Sequence, residues 1–168
     1  VARYAPHPID QLQPLGEGPI VVLDRMEKPG NVGAIVRSAA GAGVSAVVLA
    51  DAGTDLYNPN AVRASLGTIF TLPVCSESTA AVCAWLRAQP WQVVATRVDG
   101  AVSYLEADYT QATALVLGNE AAGLSDAWRG EGTLAVRVPM VGMVDSLNVS
   151  ATAAVLFYEA LRQRGTGP

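Results

Sequence analysis

The stretch of sequence from residue 138 to residue 150 decides the fold, and it reads Val138-Pro139-Met140-Val141-Gly142-Met143-Val144-Asp145-Ser146-Leu147-Asn148-Val149-Ser150. It follows an apolar, strand-like run at 134–138 and precedes a strongly apolar helical pattern at 151–161. Small polar side chains stand between these runs at Ser146, Asn148 and Ser150, and apolar residues flank them. Such flanking predicts a partly buried position, where each polar group needs a hydrogen-bond partner. Either the fold or a ligand supplies those partners.

Two interpretations of this stretch are open. Ser146 and Asn148 are both typical N-cap residues, so one of them could simply cap the last helix. A cap does not explain the Pro139-Met140 pair and Gly142 that come before it. The segment as a whole therefore favours a binding or catalytic site.

The composition is that of one globular domain. The chain has 168 residues, 51% of them hydrophobic and 15% charged, which suits a single core. Cys75 and Cys83 lack the spacing of metal ligands, so we expect reduced thiols in a cytoplasmic protein. No apolar run reaches the length of a membrane span, and we expect no membrane association. His7 is the only histidine and lies in a proline-rich arm, which argues against histidine-based catalysis and a histidine metal site.

Short apolar runs alternate with helical patterns along the chain. The strand-like runs lie at 19–24, 46–50, 69–74, 91–96, 113–117 and 133–138, and the helical patterns at 31–41, 60–66, 78–88 and 147–162. The segment 97–111 reads as a loop with room for a short helix. This alternation predicts an α/β fold with a mostly parallel sheet and helices on both faces. Residues 1–18 read as an N-terminal arm or linker because of their prolines and glycines, and residues 19–168 as the domain.

Three polar, glycine-bearing loops follow strands of this predicted sheet. They begin at Asp24, at Gly118 and at Pro139. Ligands of open parallel sheets bind outside the carboxyl ends of the strands. The last two loops are therefore candidate walls of one pocket.

The motif Gly30-Asn31-Val32-Gly33 opens a helix and could cradle a phosphate group. It lacks the spacing of the dinucleotide and nucleoside-triphosphate motifs, so it is a weak signal for either ligand. Arg37 follows on the same helix, and it is either a solvated helix arginine or a phosphate-binding group.

The loop after the fifth predicted strand also has two interpretations. Gly118 permits close approach of a backbone to a ligand. Glu120 belongs either to the site or to the N-terminus of a following helix, where it would interact with the helix dipole. Arg63 and Arg97 stay open between phosphate contacts and ordinary surface charges.

Three segments carry a more specific signal when they are taken together. They are Asn31-Val32-Gly33-Ala34-Ile35-Val36-Arg37-Ser38, Leu117-Gly118-Asn119-Glu120-Ala121-Ala122-Gly123-Leu124, and the stretch from Val138-Pro139-Met140 to Ser146-Leu147-Asn148-Val149-Ser150. In this order, with strands before the last two, they resemble the SpoU (TrmH-like) family of the SPOUT methyltransferase superfamily. The resemblance covers 19–164. It implies a C-terminal trefoil knot, which is a rare exception to ordinary chain topology, a homodimer with the knot near its interface, and S-adenosylmethionine as cofactor.

The resemblance also implies a reaction, the methylation of a ribose 2′-hydroxyl in ribosomal or transfer RNA, with no metal. It places Arg37 at the target nucleotide. Because arginine stays charged, we expect it to act by positioning and electrostatics rather than as a base. The residues implied to orient the arginine, the ribose and the cofactor are Asn31, Glu120, Ser146 and Asn148. Those implied to line the cofactor site are Gly118, Val138 and Leu147, with Met140, Asn119 and Thr96 as neighbours.

Two features oppose a self-sufficient RNA enzyme. The net charge is −4, whereas free-standing nucleic-acid binders usually carry a basic balance. The family often has an extra RNA-binding domain before this one, and here the arm alone precedes the first predicted strand. We expect either that a substrate-binding part is missing from this sequence or that a dimer builds a basic patch, with the residues Arg25, Lys28, Arg37 and Arg63.

Two other functions compete with methylation. A non-catalytic RNA- or cofactor-binding module on the same fold would suit the acidic balance, but every polar position of the three segments is filled. A generic nucleotide-binding α/β enzyme lacks its glycine fingerprint.

Overall fold

The computed structural model describes residues 8–100 and 102–165. The described residues form seven strands, which are β1 (Ile20–Asp24), β2 (Ala46–Ala50), β3 (Val74–Glu77), β4 (Gln92–Thr96), β5 (Val102–Ser103), β6 (Thr113–Leu117) and β7 (Thr133–Arg137). They also form four α-helices, which are α1 (Pro29–Gly41), α2 (Pro59–Ser65), α3 (Thr79–Arg87) and α4 (Val149–Gln163). Short 3-10 turns lie at Ile9–Gln11, Thr68–Phe70, Tyr104–Glu106 and Asp126–Trp128.

The strands form one sheet in the order β3-β2-β1-β6-β4-β7-β5. Every pair of neighbouring strands is parallel. The strands β1, β2 and β6 are buried along their whole length, and this is why they read as continuous apolar runs rather than alternating ones. The predicted α/β fold with a parallel sheet is confirmed, whereas the trefoil knot stays a prediction.

Side chains of the central strands alternate between two cores, one on each face of the sheet. Val21 and Leu23 of β1 pack with residues of α1, α2 and α4, while Ile20 and Val22 pack with residues of α3. The predicted helices on both faces are therefore confirmed. The face with α1 and α4 matters for the site, because both helices begin near the carboxyl ends of the strands.

A glycine fixes the contact between α1 and α2. A Cβ atom on Gly33 would lie 2.2 Å from the carbonyl oxygen of Ala61 and 2.8 Å from the Cβ of Ala64. Only glycine permits this close backbone approach. The second glycine of the Gly30-Asn31-Val32-Gly33 motif therefore serves helix packing.

The third predicted strand, at 69–74, is wrong, because β3 spans Val74–Glu77. Leu66 (φ 51) and Gly67 (φ 86) adopt left-handed conformations that end α2 and lead into the 3-10 turn Thr68–Phe70. Ile69 is fully buried in that turn. Short apolar runs do not distinguish a buried turn from a strand by periodicity alone.

The segment 97–111 contains the expected short helical turn, and it also contains β5, which the sequence did not indicate. β5 has two residues and pairs with β7 at the edge of the sheet. A strand of this length leaves no periodic pattern to detect.

Part of the predicted arm packs on the domain. Ile9 and Leu12 are buried in the core on the α3 face, and the Leu15 amide donates to the Ser45 carbonyl at 2.9 Å. Residues 1–7, including His7, lie outside the described residues. The division of the chain at residue 18 stays a prediction. None of the helices in 8–100 and 102–165 is long and apolar enough to cross a membrane.

Candidate active site

A cavity of about 680 Å³ lies at the carboxyl ends of the strands. The residues after β4 (96–99), the loop after β6 (117–124) and the segment after β7 (138 and 145–149) form most of its walls. Its size falls in the range of pockets that hold small molecules and cofactors, roughly 300–1,000 Å³. The predicted pairing of the last two loops in one pocket agrees with this placement.

The structure brings most of the candidate cofactor residues to this cavity. Gly118, Val138, Leu147, Asn119 and Thr96 line it, whereas Met140 is not part of the lining. The loop residues between β7 and α4 have no regular secondary structure and are mostly exposed, so the expected partial burial of Ser146 and Asn148 is wrong.

Three of the candidate catalytic residues meet through a chain of hydrogen bonds. Asn31, in the first turn of α1, donates from its Nδ2 to the Glu120 Oε1. The Asn148 Nδ2 in turn donates to the Asn31 Oδ1 at 3.5 Å. The amide of Asn31 therefore joins the loop after β6 to the start of α4. All three segments of the sequence signature meet at this point.

Asn148 has a second role, which one of the open interpretations anticipated. It is the N-cap residue of α4, and its Oδ1 accepts hydrogen bonds from the Ser150 amide at 2.9 Å and the Ser150 hydroxyl at 2.6 Å. One side of the Asn148 amide thus caps the helix while the other contacts Asn31. The cap interpretation is therefore confirmed for Asn148, and its role in a binding or catalytic site stays a prediction.

The loop after β6 owes its shape to Gly118 and Asn119. A Cβ on Gly118 would lie 2.6 Å from the carbonyl carbon of Gly123 and from the amide nitrogen of Leu124. Asn119 accepts hydrogen bonds from the amides of Ala121 and Ala122 at 2.8 and 3.1 Å. The backbone that approaches Gly118 is therefore the chain's own.

The alternative placement of Glu120 at the N-terminus of a following helix is wrong. The residues after Glu120 form a turn, and the next helical residues are the 3-10 turn Asp126–Trp128. Glu120 lies instead beside the first turn of α1, where the Lys28 Nζ is 3.2 Å from its Oε2. The carboxylate thus has one partner on each oxygen, Asn31 of α1 and the N-cap residue Lys28.

Arg37 and Ser146 are the two candidate catalytic residues without such contacts. Arg37 is exposed on α1 although its neighbours Ile35 and Val36 are fully buried. Within 8–100 and 102–165 the side chains of Arg37 and Ser146 make no hydrogen bond, and Arg37 has no ion pair. Ser146 lines the cavity, whereas Arg37 lies outside the lining. Both side chains are free to contact a ligand.

The residues after β4 form the rim of the cavity. The Thr96 hydroxyl donates to the Val116 carbonyl at 3.0 Å, which joins the ends of β4 and β6. Arg97 donates two hydrogen bonds to Asp99 at 2.8 and 2.6 Å, and these bonds hold the pKa of the Asp99 carboxyl below its usual value. The sequence left Arg97 open between a phosphate contact and a surface charge. The structure shows it in an ion pair with Asp99 at the rim of the cavity.

Sequence reasoning missed Asp24 as a site-supporting residue. Its carboxylate is fully buried at the end of β1. It accepts from the Ser125 amide at 2.7 Å, the Ser125 hydroxyl at 3.2 Å and the Thr79 hydroxyl at 3.3 Å. These bonds anchor the loop after β6 to β1. The available signal was a charged residue at the end of an entirely apolar run, since such residues are rarely buried without partners.

Arg25, the next residue, has a left-handed backbone (φ 53). Its amide donates to the Ala50 carbonyl at 2.8 Å, and its carbonyl accepts from the Asn119 Nδ2 at 3.0 Å. The chain therefore turns sharply between β1 and α1, which brings Lys28 and Asn31 to the loop after β6. Among the described residues no group of three or more His, Cys, Asp or Glu side chains could hold a metal ion.

Fold and site together define a parallel α/β protein with a small-molecule cavity at the carboxyl ends of its strands and a polar cluster at the edge. The family model of the SpoU rRNA Methylase family matches residues 18–158. The chain belongs to this family.

Known relatives agree with this assignment. The chain is 40% identical over 153 residues to the 23S rRNA (uridine(2479)-2'-O)-methyltransferase of Streptomyces viridochromogenes, which covers 88% of this chain and 53% of that protein. It is also similar to the solved structure of the SpoU methyltransferase AviRb from the same organism in complex with AdoMet. That similarity has a TM-score of 0.88 and 36% identity, and it covers 96% of this chain and 63% of the other.

A third relative is of comparable length. It is a solved structure that was reported for the 2-OH methylation of C/U34 on tRNA. The similarity has a TM-score of 0.80 and 30% identity, and it covers 90% of this chain and 99% of that one. By contrast, this chain spans about half the length of the curated Streptomyces enzyme, 53%.

Proposed function

We propose that this chain catalyses the transfer of a methyl group from S-adenosylmethionine to a ribose 2′-hydroxyl of ribosomal or transfer RNA. One observation carries the proposal. Asn31 contacts both Glu120 and Asn148 at the edge of the cavity, so residues from the three family segments form one polar cluster. A relative that shares the fold and is solved with AdoMet supports the choice of cofactor.

The residues of the cavity fit such a cofactor. Leu117, Leu124 and Val138 supply apolar wall for an adenine ring and a methylene chain, and the lining carboxylate of Asp145, which has no ion pair among the described residues, suits a ligand that carries positive charge. The residues that would hold it are Gly118, Val138 and Leu147, with Asn119 and Thr96 beside them, whereas Met140 lies outside the lining. The Asn119 side chain is already bonded, through its nitrogen to the Arg25 carbonyl and through its oxygen to amides of its own loop, so we expect its contribution to come through the loop's shape.

When bound, the cofactor supplies a methyl group on a positively charged sulfur, so no metal is needed to activate it. The residues of the site would hold the ribose 2′-hydroxyl toward that methyl group, the methyl group would replace the hydroxyl proton, which would leave to solvent, and S-adenosylhomocysteine would be the second product. We assign Arg37 to the phosphate of the target nucleotide, since an exposed guanidinium without side-chain partners among the described residues suits phosphate binding. We assign Ser146 to the ribose, because it lines the cavity and its side chain makes no hydrogen bond among the described residues.

Asn31, Glu120 and Asn148 have the role of orienting groups in this proposal. Their hydrogen bonds hold the start of α1 against the start of α4 and the loop after β6. Arg37 lies on α1 and Ser146 shortly before α4. The cluster therefore sets the relative position of the two residues that would contact the nucleotide, and such positioning accounts for a large part of many rate enhancements.

RNA as substrate and a homodimer as the active form belong to the same proposal. Val141 and Met143 are fully exposed and Val144 is 61% exposed in the segment before α4. Adjacent exposed apolar side chains of this kind suit a protein interface. A second copy would cover them.

The test is calorimetric titration with S-adenosylhomocysteine followed by transfer of a labelled methyl group to unmodified transcripts of 23S rRNA and tRNA. We expect S-adenosylhomocysteine to bind with a micromolar dissociation constant. We also expect the labelled methyl group to appear on a ribose 2′-hydroxyl of either the 23S rRNA or the tRNA transcripts. The Arg87→Met variant serves as control, because Arg87 is exposed on α3, on the opposite face of the sheet. A flat titration of folded protein contradicts the cofactor assignment, and binding without transfer favours a non-catalytic module.

A further inference from the structure

We propose that Lys28 is a positioning residue of this site, whose ammonium group holds the Glu120 carboxylate in the orientation that fixes the Asn31 amide. This inference rests on the proposed methyl-transfer function and extends it to a residue outside the three family segments.

The contacts of Lys28 place it at the beginning of α1 and across from the loop after β6. Its carbonyl oxygen accepts hydrogen bonds from the amides of Asn31 and Val32 at 3.1 and 3.2 Å, and these bonds form the first turn of α1. Its Nζ lies 3.2 Å from the Glu120 Oε2. The main chain and the side chain of one residue therefore contact both partners of the Asn31–Glu120 hydrogen bond.

Two ligands on two oxygens determine the direction of a carboxylate. The Glu120 Oε1 accepts from Asn31, and its Oε2 faces Lys28. With one oxygen bonded, the carboxylate could rotate about its last torsion, which is broad and roughly two-fold. The contact with Lys28 removes that freedom. The Asn31 Nδ2 then stays on Glu120 and leaves the Asn31 Oδ1 for Asn148.

The ion pair between Lys28 and Glu120 contributes little to the stability of the fold, so we assign its effect to the orientation of the Glu120 carboxylate. The Lys28 side chain is 69% exposed and that of Glu120 is 21% exposed, and ion pairs of this kind contribute little to folding. Lys28 is also the only lysine in the sequence, beside ten arginines. An ammonium is a compact charge with three donors on a flexible stem, and it can reach one carboxylate oxygen without displacing Asn31 from the other.

The alternative is a direct contact of this exposed cation with an RNA phosphate. In that case Lys28 acts on RNA affinity, independently of Glu120, and its effect depends on salt. In our proposal Lys28 acts on turnover and only through Glu120. The two cases are separated by a double-mutant cycle.

The first experiment needs no enzymatic activity. Reductive methylation with ¹³C-formaldehyde labels Lys28 and the N-terminal amine alone, since no other lysine is present. We expect the Lys28 dimethylamine signal to move in the Glu120→Gln variant and to stay in place in Glu106→Gln, which alters a glutamate in a separate 3-10 turn. A Lys28 signal that is the same in wild type and Glu120→Gln overturns the proposal.

The second experiment measures methyl transfer to the same RNA transcripts in wild type, Lys28→Met, Glu120→Gln and the double variant, with Arg87→Met as the matched loss of one cation. We expect Lys28→Met to lower kcat about tenfold with an unchanged KM for RNA, and the double variant to equal Glu120→Gln. If Lys28→Met raises the KM for RNA by the same factor in wild type and in Glu120→Gln, Lys28 contacts a phosphate independently of Glu120, and the proposal is overturned. A wild-type chain that transfers no methyl group overturns the proposed function, and the label alone then decides whether Lys28 pairs with Glu120.

Discussion

Asn31 and Asn148 are separated by 117 residues in the chain, yet the Nδ2 of one lies 3.5 Å from the Oδ1 of the other. Each amide performs two tasks. Asn31 contacts Glu120 with its nitrogen and Asn148 with its oxygen, while Asn148 contacts Asn31 with its nitrogen and caps α4 with its oxygen. The beginnings of α1 and α4 are thereby held together beside the cavity.

Substitutions at Asn148 should separate the cap from the contact with Asn31. Asn148→Ala loses both, and we expect a loss of about 1 kcal/mol in the free energy of unfolding together with a fall in methyl transfer. Asn148→Asp keeps an oxygen cap but has no donor for Asn31, so we expect near-wild-type stability with the same fall in transfer. Urea denaturation and transfer assays on both variants test this. Full activity in Asn148→Asp would mean that the contact between the two amides is not used.

Arg37→Ala should affect the reaction and leave the fold intact. Arg37 is exposed and its side chain has no ion pair or hydrogen bond within 8–100 and 102–165, so Arg37→Ala breaks no such bond there. We expect a loss of about 10²-fold or more in kcat/KM for RNA, as for other groups that bind charge in a transition state. Affinity for S-adenosylhomocysteine and the unfolding midpoint should match wild type. The control is Arg87→Ala, and equal activity in the two variants would contradict the role of Arg37.

The sequence predicted some elements at their observed bounds and others poorly, for physical reasons. The strands β2 (Ala46–Ala50) and β6 (Thr113–Leu117) were predicted to the residue because burial on both faces makes each a continuous apolar run. The run at 69–74 failed because a buried turn needs the same apolar residues.

The site residues, like the strands, were predicted in part. The family segments gave its residues, but their contacts depend on β6 pairing with β1. That pairing brings Glu120 to Asn31 across 89 positions of the chain. Nothing in the local sequence at Lys28 or Asp24 encodes a partner so distant, and this is why both were missed as site-supporting residues.

Gly118→Ala should damage the cavity wall. The added Cβ would lie 2.6 Å from backbone atoms of Gly123 and Leu124, which cannot move aside as a flexible side chain would. We expect a loss of about 1–3 kcal/mol in the free energy of unfolding, and weaker binding of S-adenosylhomocysteine because the loop after β6 must shift. Gly130→Ala is the matched control, since no atom lies within 4 Å of its added Cβ. Calorimetry and urea denaturation measure both effects, and unchanged binding in Gly118→Ala would show that the loop's shape is not needed.

Stability should fall at alkaline pH, and Cys75 should account for part of the fall. Burial raises the pKa of the Cys75 thiol from an ordinary value of 9.0 to about 12, with a smaller contribution from Glu77. The unfolded chain therefore loses this proton near pH 9, whereas the folded protein keeps it. The stabilisation is complete below pH 9 and is lost as the pH rises from there toward about 12. In that window a single such group changes the free energy of unfolding by up to about 1.4 kcal/mol per pH unit.

Burial also raises the pKa of the Tyr109 hydroxyl and of the Cys83 thiol, so they act in the same direction. The informative measurement is therefore a difference between variants. Urea denaturation at pH 8, 9.5 and 10.5 should show a smaller decline in Cys75→Ala than in wild type, by about 1 kcal/mol per pH unit between the last two points. The cavity left by the smaller side chain lowers stability at every pH and cancels in this slope. Equal slopes in the two proteins would mean that Cys75 ionises in the folded state, and that the buried end of β3 opens to solvent at high pH.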